Sequence, residues 1–300
     1  MTGSPSAEST KARLTNRWRR DGRQETFEAL LNRYFLERLL YRLGRSSHRD
    51  RFILKGALLF ALWGDAPHRA TRDIDLLGYG DPDPEISATA FRDICVGAGQ
   101  DGVEFRADTV RALAVREGAA YVGVRVTLEA RLGQARQGLQ VDIGFGDAVV
   151  PAPGAIAYPT LLDQPAPMLR AYPRETVVAE KFQALTALGM ANSRMKDFFD
   201  LGVLARDYSF DGGTLVAALA ATFARRQTAP PEESPLALTP AFAAAKEAQW
   251  RAFARRTALV SPSLAPLLIE LERFLLPPSR AIARGTPFLH QWRPGGPWTS

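Results

Sequence analysis

The chain is poor in sulfur and imidazole: its 300 residues include one cysteine, three histidines and four methionines. A lone cysteine, Cys95, excludes an internal disulfide framework. His48, His68 and His290 are too scattered to suggest a zinc site. Long hydrophobic runs are also missing. The longest, Gly56 to Gly64, falls far short of the roughly 20 residues that cross a bilayer, and the polar N-terminal stretch has no apolar signal-peptide core. These absences predict a cytoplasmic protein with neither membrane association nor disulfides. What is present is a hydrophobic content of 46%, enough for the core of one large domain or two ordinary ones. The 38 lysines and arginines exceed the 32 acids, giving +6 with an arginine bias. Arginine forks suit phosphate, so a polyanionic partner is compatible with this balance, as is an ordinary solvated basic surface.

Composition divides the chain. Residues 1 to about 20 carry few large apolar groups and end in Arg17-Trp18-Arg19-Arg20, which reads as a flexible arm able to touch nucleic acid. From Glu25 to Leu43 apolar residues recur at helical spacing, and Gly44 supplies a stop. Leu54 to Trp63 reads as a second helix with Gly56 near its start, and Arg72 to Leu77 as a strand. Asp83-Pro84-Glu85 launches a helix to about Ala98, in which Phe91, Ile94 and Cys95 are core. Val122, Val124, Val126 and Leu128 alternate with polar residues, as do Leu139, Val141, Ile143 and Phe145 across a polar turn, which predicts an adjacent strand pair. Pro151 to Pro173 reads as a crossing linker. Helices are then expected at about 176–188, 194–206, 214–226, 239–258 and 262–275, followed by a loose Pro/Gly-rich end from Leu276, with no internal repeat anywhere.

On the first of these strands Asp73 and Asp75 flank Ile74, so the two acids share one face, roughly 6–7 Å apart, while Ile74 and Leu76 point into the core. Asp142, between Val141 and Ile143, follows the same logic. If these strands are neighbours, three carboxylates converge, and such hard oxygen ligands suit Mg²⁺ or Mn²⁺. Asp-x-Asp can equally lie on a solvated strand. Gly56 before Ala57 would let a phosphate approach a helix N-terminus, or serve only close packing. Lys181 falls on the apolar stripe of Val177, Val178, Phe182 and Leu185, where a lysine needs an anionic partner such as a triphosphate unless it snorkels to the rim. In "NSRMKDFFDL", Asp197 and Asp200 share a helix face beside Arg194 and Lys196.

Taken together, "FILKGALLFALW", "RATRDIDLLG", "VDIG", "AEKFQAL" and "NSRMKDFFDL" resemble the AbiEii/AbiGii nucleotidyltransferase toxins of type IV toxin–antitoxin and abortive-infection systems, which include the MenT toxins. The resemblance runs from Glu25 to Asp207. It implies an α+β fold: a polymerase-β-like nucleotidyltransferase lobe of mixed or antiparallel sheet with helices, plus a mainly helical C-terminal lobe. The corresponding division is a flexible basic arm over 1–24, a nucleotidyltransferase domain over 25–165, a helical domain over 166–280 and a tail over 281–300. By motif, Asp73 and Asp75 would hold the metal, with Asp142 added from strand geometry; Gly56 and Ala57 would begin the phosphate-binding helix, Lys181 would contact the triphosphate, and Asp197 or Asp200 would be a further catalytic or structural acid. Because Ala57 has no hydroxyl, NTP contacts would fall to backbone and to Lys55, Arg72, Lys181, Arg194 and Lys196.

The implied reaction is transfer of a nucleoside monophosphate from an NTP to an RNA hydroxyl, with the 3′ end of tRNA as acceptor, which would block aminoacylation and translation. Arg17, Arg19, Arg20, Arg251, Arg255 and Arg256 could grip the RNA backbone, and a cognate antitoxin protein is implied as partner. Rival expectations are a metal-dependent RNA nuclease on the same carboxylates, transfer to a protein hydroxyl, and a non-catalytic RNA- or protein-binding module.

Overall fold

The computed structural model describes residues 6–23, 25–64, 71–97, 99–116, 122–257 and 263–300. The chain divides into two compact units, one made of Met1–Gly146 with Gly154–Ala171 and the other of Asp147–Pro153 with Tyr172–Ser300.

The first unit contains α1 (Ala7–Arg20), α2 (Phe27–Arg45), β1 (Phe52–Lys55), α3 (Phe60–Trp63), β2 (Asp73–Gly78), α4 (Pro84–Val96), β3 (Glu104–Arg116), β4 (Val122–Leu132), β5 (Ala135–Phe145), β6 (Gly154–Ala157) and β7 (Met168–Ala171). Its seven strands form one mixed sheet in the order β3-β4-β5-β2-β1-β7-β6. Strand β2 runs antiparallel to β1 and parallel to β5, so the predicted neighbour relation between the acid-bearing strands holds. Helix α4 packs on β3 and β4, α2 on β5 and β7, and α1 on β4. Ile74, Leu76, Val141, Ile143, Val124 and Val126 are buried, and this apolar face of the sheet forms the core.

Several expectations are corrected here. The N-terminal arm is a helix: Ser6 caps α1 by accepting from the Ser9 N–H, Leu14 is fully buried, and the Thr10 hydroxyl donates to the Asp101 carbonyl. Fourteen helical residues with only two buried positions, Thr10 and Leu14, left little apolar signal. The helix expected over Leu54–Trp63 is instead strand β1, a 3-10 turn at Gly56–Leu59 and the single turn α3, because Phe52 to Lys55 are recruited into the ladder with β2. Gly44 does not stop α2, which runs on to Arg45 with Ser46 as its cap. A Cβ on Gly44 would lie 2.4 Å from the Met168 carbonyl oxygen, so this glycine serves the close approach of β7. The region 151–173 contains β6 and β7 rather than a bare linker, and β7 extends the sheet beyond β1.

Buried charge anchors α2. Arg42 makes a two-pronged bond to Asp101 at 3.0 and 3.2 Å and also donates to the Val103 carbonyl. Burial pushes the Glu37 carboxyl up to about 7 against the opposing pull of Arg38, and Glu37 accepts from the Leu161 N–H. These bonds fix the helix that presents Asn32 to the start of β2.

The second unit is mainly helical: α5 (Arg174–Leu188), α6 (Met195–Asp207), β8 (Phe210–Asp211), α7 (Gly212–Arg225), α8 (Pro240–Arg256), α9 (Leu264–Arg284), β9 (Gln291–Trp292) and β10 (Trp298–Thr299). The mixed sheet with helices and the helical C-terminal region give the α+β class expected. The C-terminal end is not loose. Helix α9 continues through Pro277 and Pro278 to a left-handed Gly285, and Trp292 and Trp298 pack around Phe274, with the Trp292 indole donating to the Ala205 carbonyl.

Candidate nucleotidyl-transfer site

The strand register builds the site in rungs. Lys55 of β1, Asp75 of β2, Asp142 of β5 and Arg125 of β4 stand opposite one another across four adjacent strands. Two residues along β2, Asp73 stands opposite Gln140 of β5, which stands opposite Thr127 of β4. Side chains on one rung share a sheet face, so both rungs line the polar side, opposite the buried Ile74, Leu76, Val141 and Ile143. One rung is charged and the other nearly neutral.

Gly56 closes against the charged rung. Its φ is +76°, and a Cβ placed on it would lie 2.0 Å from Oδ2 of Asp75. A left-handed backbone and a missing side chain are both required there. We therefore expect Gly56→Ala to strain the turn or displace Asp75, with a stability loss of about 1–3 kcal/mol. Thermal melting of the variant is the check, and a wild-type Tm would mean that Asp75 yields at no cost.

Asp142 is held by its neighbours on the sheet. Arg125 donates to both of its oxygens, at 2.8 and 3.0 Å, and the Gln140 amide donates to it at 3.0 Å. Among the described residues, no three His, Cys, Asp or Glu side chains form a metal-holding group. Asp142 thus stands opposite Asp75 on the neighbouring strand, with its carboxylate held by a guanidinium. A divalent ion of the Mg²⁺ type needs only one or two protein carboxylates when phosphate oxygens and water complete its shell. The donor chemistry of Asp73 and Asp75 fits that description. Arg125 and Gln140 went unremarked in the sequence, although Arg125 alternates with Val124 and Val126 and so had to face the same side as Asp142.

Beside the second rung a cleft of about 500 Å³ opens, lined among others by Asn32, Arg72, Asp73, Thr127, Gln137 and Gln140. It lies where β5 runs on past its partner: β2 pairs with β5 only from Gln140 onward, whereas β4 pairs with β5 from Ala135. Asn32 bridges the gap, donating to the Thr71 carbonyl at 3.3 Å and accepting from Gln137 at 2.8 Å.

In the second unit, Lys181 on α5 contacts two acids of α6, Asp197 at 2.6 Å and Asp200 at 2.9 Å, and Arg194 contacts Asp197 at 2.8 Å. Asp197 and Asp200 are 1% and 0% exposed and Lys181 13%, so the ammonium is the cluster's outward member. Burial raises the Asp197 carboxyl, but Lys181 and Arg194 outweigh it and hold that carboxyl below the usual range. The apolar stripe of α5 thus carries an ion-paired lysine, and both acids of α6 bind it. Lys196 lies outside this cluster and is exposed. A second network ties Arg226 to Asp147 at 2.9 Å and to Glu180 at 3.5 Å, residues to which the sequence gave no role.

The arginines assigned to RNA differ in state. Arg17 donates to the Leu161 carbonyl and pairs with Asp21, Arg20 lies beside Asp21, and Arg251 pairs with Glu247. Arg19, Arg255 and Arg256 are exposed. No helix among the described residues is long and apolar enough to cross a membrane.

Two solved Helicobacter pylori structures are similar over much of their length: a candidate nucleotidyltransferase and JHP933. Each is 14% identical with a TM-score of 0.46 over 86% of this chain, and the matches cover 96% and 93% of those chains. No curated protein matches. The model of the AbiEii nucleotidyl transferase toxin, type IV toxin–antitoxin system, matches residues 38–276. That span takes in both rungs, Gly56 and the Lys181 cluster, and the chain belongs to the AbiEii family of nucleotidyl transferase toxins.

Proposed function

We propose that this toxin transfers a nucleoside monophosphate from an NTP to an RNA hydroxyl in the cytoplasm, with the 3′ end of tRNA as acceptor, and that the transfer depends on a divalent cation. The observation that carries this reading is the Asp73–Asp75 pair on the polar sheet face, with the side-chain-free Gly56 pressed against Asp75. Asp73 and Asp75 would hold Mg²⁺ or Mn²⁺, which when bound neutralises phosphate charge and lowers the pKa of a nearby hydroxyl.

The chain's own groups then have distinct tasks. The bare backbone at Gly56 admits a phosphate close to Asp75, and Lys55 supplies positive charge at the end of β1. Lys181, fixed by Asp197 and Asp200, stabilises negative charge that develops as pyrophosphate leaves. Arg125 holds Asp142 in place beside Asp75. Exposed arginines attract RNA electrostatically, an attraction that added salt weakens. An antitoxin partner follows from the family.

The test incubates purified protein with total tRNA, Mg²⁺ and each α-³²P-labelled NTP in turn, beside Asp73→Ala. Label on tRNA that requires Asp73 supports transfer and identifies the nucleotide. Shortened RNA without NTP would replace this reading with a nuclease, and intact, unlabelled RNA with every NTP would remove RNA as acceptor.

A further inference from the structure

The two rungs differ in chemistry, and the cleft opens beside only one of them. The charged rung of Lys55, Asp75, Asp142 and Arg125 is the one against which Gly56 packs, whereas Asp73, Gln140 and Thr127 continue into the cleft. Neither Lys55, Gly56 nor Asp75 lines that cleft. Among the described residues its acids are Glu28, Asp73 and Glu129 and its cation is Arg72, with Glu129 also paired to Arg131. Asn32, Gln137, Gln140, Thr109 and Thr127 add amides and hydroxyls, beside Leu128, Gly138 and Leu139. Such a lining suits a neutral, hydroxyl-rich ligand that donates and accepts several hydrogen bonds.

We propose that this cleft seats the ribose and base of the acceptor RNA's terminal nucleotide on the Asp73 side of the acid pair, leaving the Asp75–Gly56 side to the triphosphate. The assignment rests on the nucleotidyl-transfer reading and divides that site into two halves. Asp73 is then the acid nearest the attacking hydroxyl, and Thr127, at the far end of its rung, determines acceptor affinity without touching the NTP. A ribose differs from a deoxyribose by one hydroxyl, so a wall of this kind favours RNA over DNA.

The experiment uses the full chain with Mg²⁺ and a 5′-fluorescein oligoribonucleotide bearing a free 3′ hydroxyl, followed by fluorescence anisotropy, beside the DNA oligonucleotide of the same sequence. Thr127→Trp fills the cleft, and Thr127→Gln is a smaller block should the tryptophan variant fail to fold. RNA affinity should fall roughly tenfold or more in the blocked variant, while NTP affinity, measured by calorimetry, stays within about twofold. Equal loss of both affinities, or wild-type RNA binding by the folded variant, overturns the assignment, as does a wild-type protein that binds DNA as tightly as RNA. The two levels fail separately. Should wild-type protein transfer no nucleotide yet bind RNA in the Thr127-sensitive way, the transfer reading falls and the cleft stands; transfer with an unchanged acceptor KM in Thr127→Trp sinks the cleft and leaves the transfer.

Discussion

Asp75→Asn is expected to reduce nucleotide transfer on the order of 10³-fold while leaving the fold intact. The change keeps the size of the side chain packed against Gly56 and removes one of two carboxylate charges at the proposed cation site. Losing a preorganised electrostatic partner at a phosphoryl centre costs about 10²–10³ in rate, and weakened cation binding adds to it. The diagnostic is cation dependence: transfer by the variant should need a much higher Mg²⁺ concentration, or recover in part with Mn²⁺. A variant with wild-type turnover and an unchanged Mg²⁺ requirement would show that Asp75 holds no metal.

Lys181→Met should be the most destabilising single change among the candidate site residues. It leaves Asp197 and Asp200 buried without the cation that contacts both, while Arg194 still touches Asp197. Stranding one side of a buried pair costs about 3–5 kcal/mol. The sign with pH follows from Asp197, whose folded carboxyl lies below its ordinary value. The stabilisation it contributes is fully present above the unfolded carboxylate pKa and is lost as pH falls through the lowered folded value. Chemical denaturation at neutral pH should therefore reveal most of the difference between wild type and Lys181→Met, and the two should converge in acid. A companion separates architecture from chemistry: Lys181→Met with Asp197→Asn and Asp200→Asn removes all three charges together. It should recover much of the stability without recovering transfer. Activity in that triple variant would reduce Lys181 to a structural ion pair.

The acid pair was legible because a strand's two-residue period is visible within six residues: Ile74 and Leu76 had to be buried, which left Asp73 and Asp75 together. Lys181 was legible for a similar reason, as a cation on an apolar helical stripe. Its partners were only half so, since two acids three apart on α6 read equally as a surface network until α5 is packed against them. Strand β3 escaped notice because its register shifts between Arg106 and Arg111, which breaks the alternation a reader looks for. Strands β6 and β7 are four residues each, too short for any period to emerge among prolines. Gly44 misled because a glycine that ends a helix and one that admits a neighbouring strand look the same in one dimension. The tryptophans near the C-terminal end carried a signal that its prolines and glycines outweighed: indoles pack, and Trp292 is almost fully buried.

Neither compact unit is a continuous stretch of chain. The first is interrupted by Asp147–Pro153, which belongs with the second, and resumes at Gly154–Ala171. Synthesis therefore imposes an order of events. Once residues through Gly146 have emerged, β2 can already lie between β1 and β5, with Asp73 and Asp75 in register, but the outer edge of β1 stays open until β7 follows. The emerged chain at that stage has its acid pair and an exposed strand edge, whereas the segment carrying Lys181 has yet to emerge. Residues leave the ribosome in sequence order, so the strands that bear the acids are free to pair before the segment carrying Lys181 follows them.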